Sequence, residues 1–113
     1  MSYSRGTIID GPDPFGGKDR RPYVILSGNR HPFNYDECIC VSITGTKHKW
    51  SVPLDPQDFI QGGLEKMSYA SPWVVTTFAW SQLRSWKGEI EQYLVNEIVH
   101  YTAYYMGFAS HQP

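Results

Sequence analysis

Two arginines stand side by side at Arg20 and Arg21, directly before Pro22 and the apolar run YVIL. A guanidinium fixed at the end of a stiff strand can hold two phosphate oxygens at once. Read alone, the pair is equally a solvated strand end, or Arg21 ion-paired to Asp19. Thr44 is a second candidate: it closes the alternating run ECICVSIT, and its hydroxyl could serve an anion. A threonine before Gly45 equally caps its own turn. Lys47, His48 and Lys49 make a basic turn that suits a phosphate backbone, or simply a solvated hairpin tip. His48 titrates near neutral pH and is a candidate general acid or base, as is Asp19. Lys18 adds charge beside the arginines. Phe15, Phe33, Tyr35 and Trp50 lie near these basic segments and could stack unpaired bases. Core packing is the expectation for Trp50, Trp73 and Trp80.

Several common chemistries are missing. PFGGK has the spacing of neither phosphate-binding glycine motif, and no G-x-S-x-G or H-E-x-x-H occurs. Cys38 and Cys40 are the only cysteines, two apart in a strand, where bridging each other would be strained. They are expected as reduced thiols, and neither His31 nor His48 lies at finger spacing from them. No metal and no cofactor are expected.

The elements that must position these residues are short strands. The chain has 113 residues, enough for one domain and one core. Hydrophobic residues make up 41% and charged residues 19%, a globular balance rather than a disordered one. The net charge is −1. Lys and Arg outnumber Asp and Glu seven to five in residues 1–50 and are outnumbered three to six in residues 51–113, so basic character sits with the candidate site. No apolar run has the length of a membrane span, and the first residues lack the apolar core of a leader. A cytoplasmic protein is expected.

Strands are expected at 6–10, 22–27, 37–44, 50–54 and 72–78, with Pro22 at a first strand position. Residues 11–20 and 28–36 read as loops, the first of them mobile. In 37–44, Ile39, Val41 and Ile43 should face the core, and Cys38, Cys40, Ser42 and Thr44 the other way. Asp55 and Pro56 open a single helical turn, 61–71 reads as loop, and 79–88 fits a turn or a strand. A helix over 89–107 carries Ile90, Leu94, Ile98 and Tyr101 or Tyr105 on one face, with Glu89 and Glu91 at its start and Gly107 as its cap. The sum is a small, mostly antiparallel β-barrel with a C-terminal helix packed on it.

Taken in order, GTIID, a Gly-rich loop, RRPYVILS, CICVSIT, VPL, GGL, PWVVTTF and KGEI before a closing helix resemble the PemK/MazF family of toxins from type II toxin–antitoxin modules. The resemblance spans about residues 5–107 of a single domain, 1–113. It implies an SH3-like barrel and a homodimer that cuts single-stranded RNA at short sequences without a metal. Products would end in a 2′,3′-cyclic phosphate and a 5′-hydroxyl. It implies Arg21 at the scissile phosphate, with Thr44 working beside it. Arg20, Lys18, Lys47, His48 and Lys49 would contact RNA, and the loop 11–19 would cover the RNA groove. A cognate antitoxin would compete for that groove. The alternative is a catalytically silent barrel that binds a protein or nucleic acid.

Overall fold

The structure is a computed structural model and describes residues 2–108. Seven strands and one helix follow in order: β1 Thr7–Pro12, β2 Arg20–Ile25, β3 Glu37–Thr44, β4 Val52–Leu54, β5 Phe59–Gly62, β6 Ser68–Ala79, β7 Arg84–Ile90 and α1 Gln92–Tyr105. They form one sheet in the order β4-β6-β3-β2-β1-β7-β5, antiparallel at every pairing. The sheet curls into a half-barrel carrying a single C-terminal helix, as the strand pattern predicted. The short 3-10 turn Pro56–Asp58 connects its two edge strands, β4 and β5.

The consecutive apolar residues of the central strands are explained by burial on both faces. One core lies under α1 and joins Ile8, Val24, Val41, Ile43, Ile90, Leu94 and Ile98. The other lies across the sheet and joins Ile9, Tyr23, Ile25, Cys38, Cys40, Phe78, Trp80 and Leu83. Each fully buried aliphatic side chain contributes about 1.5–3 kcal/mol, so the pair of cores carries the fold. The expectation that only the Ile39 side of β3 faces a core is corrected. Cys38 and Cys40 are fully buried, whereas Ile39 is only partly so. Their sulfurs lie 3.6 Å apart as free thiols. The hydrogen bond with Cys38, then burial, pushes the Cys40 thiol far up, so it stays protonated.

Pro22 is the third residue of β2 rather than its first. Leu26 donates its N–H to Ile39 of β3, and the carbonyl of Ile25 accepts from Gly6 on the β1 side. Strand alternation therefore turns the even-numbered residues of β2 towards β3. Pro22 faces β3 at a position where a donor is needed and has none. The β2–β3 ladder accordingly ends at Tyr23↔Ser42.

Two segments read as loop or ambiguous are strands. β5 pairs with β7, and β6 begins four residues earlier than expected. Residues 80–82 are a 3-10 turn before β7. The helix begins at Gln92, so Glu89 and Ile90 belong to β7. Gly107 takes φ +95° just past the helix, the left-handed geometry of a helix stop.

The helix start is pinned by Tyr93, whose hydroxyl donates to Asp58 in the 3-10 turn. That bond, more than desolvation, pushes the Tyr93 phenol up to about 12. A raised phenol stabilises the fold below its unfolded value of about 10, and that stability is lost as pH rises through about 12. Tyr93→Phe should therefore unfold at a lower temperature than wild type at pH 8. The gap between the two should shrink between pH 10 and 12, as thermal melts will show. An unchanged gap at pH 12 would mean that the bond is not what holds the turn.

Candidate active site

Arg21 and Thr44 lie near the ends of neighbouring strands, β2 and β3. The β2–β3 pairs run Ile25↔Cys40, Val24↔Val41 and Tyr23↔Ser42. Continued by two residues past its last pair, the same register would set Arg21 opposite Thr44.

Arg21 is held from the side by the 13–19 loop. Its Nε lies 3.3 Å from Asp13 Oδ1 but off the line of a hydrogen bond, so this buried nitrogen has no hydrogen-bond partner. The guanidinium carbon sits 5.2 Å from the centre of the Phe15 ring. The Arg21 side chain keeps 19% exposure, and the Asp13 carboxylate is nearly enclosed at 1%. Asp13 accepts the backbone N–H of Phe15 and of Lys18, each at 2.9 Å. The Phe15 bond leads the causes, Lys18 and Arg21 among them, that hold its carboxyl below the usual carboxylate range. The loop expected to be mobile is thus organised around one ionised carboxylate. Asp13 is the residue that sequence reasoning passed over; an Asp two residues before an N–H it can accept is a recognisable Asx-turn signal. Tyr23 supports the same segment, donating its hydroxyl to the Pro12 carbonyl at 2.6 Å.

Thr44 Oγ1 accepts the N–H of Thr46 at 3.2 Å. The hydroxyl caps the turn as an acceptor, which leaves its own hydrogen free for a ligand. Arg20 points elsewhere. Its Nη2 donates to the carbonyls of Asp10 and Gln82, each at 2.8 Å, tying β1 to the 3-10 turn. Lys18 and Asp19 are exposed on the loop beside Arg21.

Lys47, His48 and Lys49 are exposed on the turn that follows Thr44. The His48 ring meets Trp73 edge to face at 5.9 Å, in an aromatic group that also holds Trp50 and Tyr105. Core packing was expected for Trp50, Trp73 and Trp80, and only Trp80 is buried. Trp50 and Trp73 keep 56% and 43% exposure. Trp50 belongs to the turn and not to β4. Trp73 sits where the β3–β6 register shifts, between the pairs Val41↔Val75 and Ser42↔Ser71. Pro72 starts that irregular step, and the side chains after it turn out of the core. Among the described residues, no three of His, Cys, Asp and Glu stand together as metal ligands, and no helix is long and apolar enough to cross a membrane.

No model of a known protein family matches the chain, and no curated protein matches it. Solved structures do. An endoribonuclease from a mycobacterial species superposes with a TM-score of 0.76 at 19% identity, covering 100% of this chain and 97% of that one. A mycobacterial endoribonuclease in complex with its cognate antitoxin gives 0.72 at 20% identity, over 99% and 98%. A MazE–MazF structure from Deinococcus radiodurans gives 0.68 at 14% identity, over 96% and 99%. The fold of this chain is that of the MazF toxins.

Proposed function

We propose that this protein is the toxin of a type II toxin–antitoxin module, a single-domain, metal-independent endoribonuclease that cuts single-stranded RNA at short sequences. The observation that carries the reading is the fold, shared over nearly the whole chain with solved endoribonucleases; Arg21 and Thr44, near the ends of neighbouring strands β2 and β3, are the residues the reading assigns to the phosphate. A second copy of the chain and a cognate antitoxin are the protein partners this reading implies, and the cytoplasm is the compartment.

The chemistry needs little from the protein beyond charge and position. The ribose 2′-oxygen attacks the adjacent phosphorus and the bond to the 5′-oxygen breaks. The 2′-hydroxyl loses a proton to a base, and the departing 5′-oxygen gains one. Nucleophile and target lie in one nucleotide, so proximity is built in. What remains is the negative charge gathering on the phosphoryl oxygens. A guanidinium that does not need to reorganise stabilises it, and the Thr44 hydroxyl donates to one of the same oxygens. Asp13 is a poor proton acceptor because its carboxylate is already hydrogen-bonded. Asp19 and His48 remain the candidates for proton transfer.

The test is cleavage of a long unstructured RNA in EDTA with the product ends mapped. Discrete cuts ending in cyclic phosphate are expected. Thr44→Val, which keeps the shape and removes the donor, should cut about 10- to 100-fold more slowly. RNA left intact across many sequences, or cutting only with added metal, would overturn the reading.

A further inference from the structure

We propose that the cleft built by Arg5, Arg30 and Asn96, past the far end of β2 from Arg21, binds a small phosphate ester of about nucleotide size. The inference does not depend on the ribonuclease reading. Leu26, which lines the cleft, follows the last residue of β2, whereas Arg21 is the second residue of that strand. At the rise of a strand the two are about 16 Å apart.

The cleft holds about 780 Å³ between three segments: the residues before β1, the loop from β2 to β3, and the first half of α1. Leu26, Pro32 and Ile39 supply its apolar lining. The balance of hydrogen-bonding groups makes it a place for an anion. The acceptors around Arg5 are already engaged. Arg5 Nε donates to the Leu26 carbonyl at 2.8 Å, and Nη1 donates to Gln92 Oε1 at 3.1 Å and Asn96 Oδ1 at 2.9 Å. Ser27 Oγ accepts the Ile39 N–H at 2.8 Å. What remains is a set of donors: Arg5 Nη2, the Asn96 amide nitrogen, the Ser27 hydroxyl hydrogen and the Arg30 guanidinium. None of these donors has a hydrogen-bond partner among the described residues.

The charges agree with the donors. Among the described residues neither Arg5 nor Arg30 is in an ion pair. Burial first, and then the charge of Arg30, pulls the Arg5 guanidinium below its ordinary pKa. The fold thus holds two like charges near each other with nothing between them, and a bound anion would relieve the repulsion.

The shape narrows the choice. The donors come from three segments, and a tetrahedral phosphate offers oxygens in several directions where a carboxylate is flat. The cleft leaves room beyond the phosphate, and its apolar lining suits the organic part of an ester. A long polyanion fits less well. Asp36 and Glu37 follow on the same loop, and Glu37 Oε2 lies 3.6 Å from His31 Nε2 at its edge.

The cleft is also built before a ligand arrives. Gln92 Nε2 donates to the Arg5 carbonyl at 2.8 Å, which locks the residues before β1 to α1. Trp80, in the second core, donates its indole N–H to the Asn34 carbonyl at 2.8 Å and pins the loop that carries Arg30. An ordered site loses little entropy on binding.

The test is calorimetry on intact protein with three probes: inorganic phosphate, ribose 5-phosphate and adenosine 5′-monophosphate. At least one ester should bind wild type, and more tightly than phosphate. Arg30 is exposed, so Arg30→Ala should melt like wild type without ligand, yet bind the ester about 10- to 100-fold more weakly. Arg30→Lys should recover part of the loss, and Arg21→Ala should bind as wild type does. No binding of any probe overturns the proposal, as does equal binding by wild type and Arg30→Ala. Binding lost in Arg21→Ala instead would put the phosphate at the candidate active site and overturn it too. Esters that bind no better than phosphate would overturn the ester. So would displacement of the bound ester by single-stranded RNA, which would make the cleft part of an RNA path. If the ester binds through Arg30 and RNA is never cut, the cleft stands and the ribonuclease reading falls.

Discussion

Arg21→Ala is expected to abolish measurable RNA cleavage while the protein stays folded. The expected loss is about 10²- to 10³-fold, the scale for removing one preorganised donor from a developing oxyanion. Arg21 is the cation the proposed function sets at the phosphate, and Arg20 Nη2 is already committed to two backbone carbonyls. Lys18, the other cation nearby, is exposed on the loop and lacks the planar fork, so it should not restore the rate. The fold should tolerate the change. What Arg21 touches is the 13–19 loop, through Asp13 and Phe15, and neither core includes it. Melting should stay within about 5 °C of wild type. Arg21→Lys separates charge from geometry: it keeps the cation and loses the planar fork, so cutting should recover only in part. A product-end assay with matched melts reads all three proteins. Full activity in Arg21→Ala would move the active site elsewhere on the molecule.

Gly62→Ala should cost the most stability of any single methyl. Gly62 adopts φ +68° at the end of β5, and a Cβ there would lie 2.2 Å from the Lys87 carbonyl oxygen and 2.7 Å from Gly88 Cα. Both are backbone atoms of β7, so no rotamer change relieves the clash. Gly62 and Gly88 oppose each other in register, which is how β5 approaches β7 so closely. Left-handed strain adds to overpacking, for a loss of about 3 kcal/mol. That lowers the melting temperature by roughly 10–20 °C in a domain of this size. Gly63→Ala is the internal control: nothing lies within 4 Å of its Cβ position, so its melt should stay close to wild type. Equal melts for the two variants would place β5 away from β7.

What the sequence revealed depended on how local the cause was. The run 37–44 alternates cleanly between turn residues, and β3 has those bounds. The helix face Leu94–Ile98 follows from spacing alone. β5 has no such signal: four residues ending in Gly62 become a strand because β7 is there to pair with. The site divides in the same way. Arg21 and Thr44 were candidates by residue type and position, and the family resemblance is what assigned them to the phosphate. That β2 and β3 are neighbours at all is a matter of long-range pairing, which no local pattern encodes. Asp13 looked like one polar residue in a Gly- and Pro-rich stretch, and its role appears only when the loop folds around it. Trp50 and Trp73 were misplaced because large apolar side chains default to cores. Here the turn and the register step turn them outward.

The end strands of the sheet bear on how this protein behaves when it is crowded. Its two free edges are also its shortest strands, three residues in β4 and four in β5. Pro53 occupies the middle of the first, and left-handed Gly62 ends the second. A chain arriving to extend the sheet finds few backbone groups, one fewer donor than usual, and a bend where a flat strand should continue. Edge-to-edge polymerisation is thereby discouraged in the native state, even though the central strands are rich in the residues that favour fibrils. Those strands become sticky only when β4 or β5 lets go, so the fold's resistance to aggregation rests on seven residues at its margins.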